Sequence, residues 1–121
     1  MKIMGISPYL IAAILVITAA NYGYSKNLGA HPFWSVQVAW IGVPIGLGLA
    51  FLFRRRRWSV RIGLFSLLLA VSGFSAHFGR LRFAASFAED QLAGQFWYYG
   101  WIGVAAFSAA LITAILSPRF F

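Results

Sequence analysis

The sequence predicts an all-α integral membrane protein of four transmembrane helices, with both termini on the cytoplasmic side. Three observations predict it. Hydrophobic residues make up 61% of the 121 and charged residues 10%, and the mean hydropathy is +0.79. Soluble domains run at roughly 45–50% apolar and 25% charged. Apolar stretches recur at about 8–24, 33–53, 62–82 and 96–116, each near the ~20 residues needed to cross a ~30 Å hydrocarbon core. The stretch Arg54-Arg55-Arg56-Arg57-Trp58-Ser59-Val60-Arg61 gathers five of the ten Lys and Arg residues between the second and third of these. A basic loop of that kind resists translocation, so it is expected in the cytoplasm and sets the orientation of the rest. The chain reads as a single domain over 1–121, multi-pass in a bacterial inner membrane.

The first helix is expected to start at Ser7-Pro8, a capping hydroxyl followed by proline at the first helical position, where its missing N–H is harmless. Lys2, the apolar run Leu10 to Ile17 and the small residues Thr18, Ala19 and Ala20 imitate a secretory signal. The segment is read instead as the first membrane helix, ending near Tyr24. Asn21, Tyr22 and Tyr24 then place polar and aromatic groups at its outer end, where amphipathic rings favour the headgroup level.

The second helix carries Gln37 and Trp40 in its outer third, and below them Gly42, Gly46 and Ala50 recur every four residues. A small-residue stripe lets another helix approach closely, and Pro44 permits a kink. The third helix has a stripe of its own in Ser72, Ala76 and Gly79, and the fourth has Ala106, Ala110 and Ala114. Ser117-Pro118 ends the fourth helix. Seven basic residues (Lys2, Arg54, Arg55, Arg56, Arg57, Arg61, Arg119) fall on the inner side and three (Lys26, Arg80, Arg82) on the outer, in the sense of the positive-inside rule.

Two halves of the chain show parallel wording. Ala20-Asn21-Tyr22-Gly23 parallels Ala76-His77-Phe78-Gly79, and Trp40-Ile41-Gly42-Val43 parallels Trp101-Ile102-Gly103-Val104. Two tandem helical hairpins related by a pseudo-two-fold axis along the membrane normal would produce this pattern, as in the parallel repeats of some transporters. The competing explanation is coincidence in a chain rich in aromatic and small residues.

Candidate chemistry is sparse. There is no cysteine, which excludes disulfides and thiolate sites, and no catalytic constellation or metal cluster is legible. On the third helix Gly73, His77 and Arg80 follow the i, i+4, i+7 spacing of one row. With Asn21 and Gln37, His77 and Arg80 form the candidate outer-leaflet site for an anion, because ionisable groups inside membrane spans tend to face the bundle interior or water. The plainer alternative is an interfacial histidine beside an arginine snorkelling to the surface. His31 and His77 lie at one level, which allows a bis-histidine haem in geometry alone. Glu89 and Asp90, the sole acids, could pair with Arg80, Arg82 or Lys26. Arg54, Arg55, Arg56, Arg57 and Arg61 are the expected contacts to anionic lipid, each contributing about 1 kcal/mol near such a surface.

Bound lipid is therefore the expected small-molecule partner, with a quinone or pigment as the alternative, and nucleic acid is not expected because the basic residues sit at helix ends rather than along a groove. In size the chain matches small multidrug transporters and dual-topology fluoride channels. It lacks the membrane glutamate of the first, and its arginine bias argues against dual topology. The expected role is a non-catalytic accessory subunit that packs against other membrane protein subunits through its small-residue faces. The alternative is a small oligomeric transporter, channel or lipid-carrier flippase with an outward-facing site for an anionic substrate.

Overall fold

The computed structural model describes residues 2–23, 35–86 and 91–117 and contains four helices. They are α1 (Lys2–Asn21), α2 (Ser35–Leu52), α3 (Trp58–Ala85) and α4 (Gln91–Leu116). At about 1.5 Å per residue these are about 30, 27, 42 and 39 Å long. α3 and α4 are each long and apolar enough to cross a membrane, while the apolar parts of α1 and α2, Ile6–Asn21 and Val36–Leu52, are shorter. The expectations placed on Tyr24, Lys26, His31, Glu89, Asp90 and Arg119 lie outside the described residues.

Helix ends differ from the sequence reading by up to six residues. α1 does not begin at Ser7-Pro8 but runs back to Lys2, with Pro8 inside it. Proline there forfeits one hydrogen bond, to the carbonyl four residues earlier. Pro8 is buried, and a loss so near the helix end does not stop the helix. Gly23 follows α1 with φ of 85°, a left-handed value that glycine adopts without the clash other residues meet.

α4 is the hub. α1, α2 and α3 all pack along it, and α1 also packs along α2, whereas the α2 and α3 backbones do not run alongside one another. The reason is legible in the buried residues of α4, which apart from Thr113 are Ala93, Gly100, Ala105, Ala106, Ala109, Ala110 and Ala114. A helix that carries almost no side-chain bulk can be approached from several directions at once. In a lipid environment, where apolar surface gains nothing by leaving its surroundings, such close backbone contact is the main source of helix association.

The glycines mark where the approach is tightest. A Cβ added at Gly42 would stand 2.6 Å from the Ile102 carbonyl oxygen, and one at Gly46 would overlap the Ala106 carbonyl. On the other side of α4, a Cβ at Gly79 would stand 2.5 Å from the Ala93 oxygen, and one at Gly100 would stand 2.7 Å from the Ala76 nitrogen. So the Gly42–Gly46–Ala50 row faces α4, Ala50 sharing a buried cluster with Phe65, Ala110 and Ala114. The Ser72–Ala76–Gly79 row faces a different side of α4, made by Ala93, Gly100 and Gly103, where Ser72 abuts Gly103.

The packing departs from a two-fold relation between hairpins. Such an axis would carry the α1–α4 contact onto α3 and α2, yet α3 does not lie along α2. Asn21 and His77, counterparts in the sequence parallel, also stand in different surroundings, as described below.

Candidate functional site

The two ends of the α3–α4 pair are built differently. At the arginine end, the indole Nε1 of Trp58 donates to the Ala114 carbonyl at 2.7 Å. The Arg61 guanidinium donates through Nη2 to the Ser117 carbonyl at 2.7 Å and through Nε to the Arg56 carbonyl at 3.1 Å. The last carbonyls of a helix lack partners within it and carry partial negative charge. Trp58 and Arg61 supply donors to two carbonyls at the end of α4, and Arg61 adds a full positive charge.

Arg61 is 3% exposed, so it is directed into the protein and away from the surface that Arg55, Arg56 and Arg57 occupy. Sequence grouped all five as lipid contacts because adjacency says nothing of the side of the helix on which a residue falls. Arg54 serves a second helix end, donating to the Phe51 carbonyl at 2.8 Å with its guanidinium 3.9 Å from the Phe51 ring centroid. Phe65, 1% exposed, and Phe53, its ring centroid 6.0 Å away, fill the space beside them.

At the opposite end, α3 and α4 touch through glycine and alanine, with the Phe83 and Trp97 rings packed 5.7 Å apart between centroids, and cavities open on both flanks of the seam. One, of about 270 Å³, is lined by Leu69, Gly73, Ala76, His77 and Arg80 of α3 with Trp101 and Val104 of α4. The other, of about 320 Å³, is lined by Val71, Ser72 and Ser75 of α3 with Gln95, Phe96 and Tyr99 among the residues of α4. The predicted row Gly73–His77–Arg80 thus looks onto a cavity whose far wall is an indole. A Cβ at Gly73 would meet no atom within 4 Å, so this glycine keeps the cavity open instead of admitting a helix.

Asn21 and Gln37 do not join this site. The Asn21 side-chain amide donates to the Ile17 carbonyl of its own helix at 2.9 Å, and Gln37 is exposed on α2. In the sequence Trp101 and Val104 stand out only through the parallel between the two halves, and Leu69 reads as an ordinary span residue; none of the three is placed at the site there. What brings Trp101 to the row is the Gly100–Ala76 contact, which sets the register of α3 on α4.

Among the described residues no group of three His, Cys, Asp or Glu could hold a metal ion. The hydroxyl of Thr113, 2% exposed, donates to the Ala109 carbonyl of its own helix at 2.8 Å. It therefore has its partner within α4. The chain matches no protein-family model, and neither a curated protein nor a solved structure resembles it at a significant level. The reading of function rests on the site and the surface alone.

Proposed function

We propose that this chain is a four-span, non-catalytic subunit of a membrane assembly, with its termini and the Arg54–Arg57 turn in the cytoplasm. The observation that carries the proposal is the division between surface and interior. Every helix shows large apolar side chains outward, among them Ile14 at 63% exposure on α1, Leu52 at 70% on α2, Phe74 at 70% on α3 and Leu92 at 63% on α4. The buried residues are mainly alanine and glycine, with Arg61 bonded at one end. A surface of that kind suits lipid or other membrane helices and is a liability in water. Among the described residues the buried polar side chains are Arg61, Thr113 and Ser117.

The three small-residue faces, expected from sequence to meet other subunits, are directed to neighbours within the chain. A protein partner would instead meet the outward ridge of α3, formed by Leu67, Val71, Phe74 and Phe78. Extraction in mild detergent at natural expression, followed by native mass and subunit composition, tests the reading. Stoichiometric larger subunits are the expected result, and a particle made of this chain alone would overturn it.

A second reading, a small transporter or lipid-carrier flippase with an outward-facing site for an anion, is favoured by one observation: His77 and Arg80 line the same cavity. Loss of substrate movement in His77→Ala with Arg80→Ala, at unchanged assembly, is its signature.

A further inference from the structure

The His77–Arg80 cavity shares two of its wall residues with a second one. Trp101 and Val104, which wall it, also line an apolar cavity of about 340 Å³ bounded by Leu15, Val16 and Ala19 of α1, Val38 and Ala39 of α2, and Ser108 and Ile112 further along α4. α1 and α3 both pack on α4 and do not run alongside each other, so between them the Trp101 face of α4 forms the floor of a groove. We infer that this groove is a binding site for a single lipid of the outer leaflet, its anionic phosphate headgroup on Arg80 and His77 and one acyl chain lying along Trp101, Val104 and Ser108.

Length, polarity and charge agree on that occupant. Gly100 abuts Ala76, which puts Arg80 one helical turn above this level and Ser108 eight residues below it, about 18 Å from Arg80 to Ser108 at 1.5 Å per residue. An acyl chain reaching the midplane needs about 15 Å, half of the ~30 Å core. The groove is basic at the end where a headgroup sits and apolar along the part where a chain would lie. A guanidinium meets a phosphate with two parallel hydrogen bonds, and the neighbouring imidazole can add a third donor.

The inference rests on the four-span reading. It is tested on the purified full chain with two photoreactive lipids carrying a diazirine on the acyl chain, one phosphatidylglycerol and one phosphatidylcholine, and crosslinked peptides mapped by mass spectrometry. Phosphatidylglycerol should label residues around Leu15–Ala19, Leu69–Ala76 and Trp101–Ser108 at least fivefold above phosphatidylcholine. His77→Ala with Arg80→Ala should remove that preference. Gly73→Leu, which meets no backbone, should lower groove labelling by either lipid while leaving the rest of the surface labelled. Lipid held by Arg54–Arg57 would crosslink at the other end of α2 and α3 and is told apart by position.

Equal labelling by the two lipids, or a preference that survives the double substitution, would overturn the site. Block of groove labelling by millimolar inorganic phosphate would assign it to a free anion and also refute the lipid. Failure of the four-span reading shows separately, as loop cysteines reached from the wrong side of the membrane in intact cells, whereas failure of the groove alone leaves that topology intact and the protein labelled evenly by the two lipids.

Discussion

The same two helices, α3 and α4, are closed at one end and open at the other. At the arginine end Trp58 and Arg61 bond the last carbonyls of α4 and Phe65 fills the space between them. At the far end the backbones meet through Gly79 and Gly100, and cavities stand on either side of the contact. The comparison teaches that glycine contacts and large side chains bring helices together with opposite by-products. Side chains that reach across fill the flanks. Glycines bring the axes close and leave space beside the contact, even where Phe83 and Trp97 reach across further along, and that space is where a ligand can enter.

The comparison breaks most severely if a glycine contact is blocked. Gly46→Leu or Gly79→Leu sets a side chain against backbone that cannot give way, and overpacking of this kind is expected to destabilise by about 3 kcal/mol. A loss of monodisperse protein, or a large fall in thermal midpoint in detergent, is the readout. Next comes Arg61→Ala at the closed end, which leaves the buried Ser117 carbonyl without its charged donor, with an expected loss of about 2 kcal/mol. Arg61→Lys should restore only part of it, because a single ammonium cannot replace donors at both Nε and Nη2. Trp58→Phe keeps the ring but removes the bond to Ala114, and about 1 kcal/mol is expected from unfolding in denaturant. The smallest effect on stability belongs to the open end: His77→Ala with Arg80→Ala, both exposed, should stay within about 0.5 kcal/mol while removing lipid preference. If that pair is as destabilising as Arg61→Ala, the open end is a structural contact like the closed one.

Much of this contrast was legible before the structure, and what was not has a physical cause. Four helices follow from apolar run length alone, and the recurrence of Gly42, Gly46 and Ala50 falls where α2 meets α4. Likewise, the i, i+4, i+7 spacing put Gly73, His77 and Arg80 on one face of α3. What escaped depends on partners distant in sequence. The start of α3 at Trp58, four residues before Ile62, coincides with bonds from Trp58 and Arg61 to carbonyls that come 56 residues later in the chain. A count of positive residues cannot distinguish Arg61, turned inward, from Arg57, turned outward. The groove wall of Trp101 and Val104 needs the register between two helices, which no single helix encodes. Asn21 paired with His77 in the sequence parallel, but its amide bonds Ile17 of its own helix.

The four-span account requires α1 and α2 to cross the membrane as well as α3 and α4. The chain has no cysteine, so single cysteines can be introduced without background and probed in intact cells with a membrane-impermeant maleimide. With four spans, Asn27→Cys and Ala88→Cys are labelled and Ser59→Cys is protected until the cells are opened. If Asn27→Cys is protected together with Ser59→Cys while Ala88→Cys is labelled, only α3 and α4 cross, and the four-span account is contradicted.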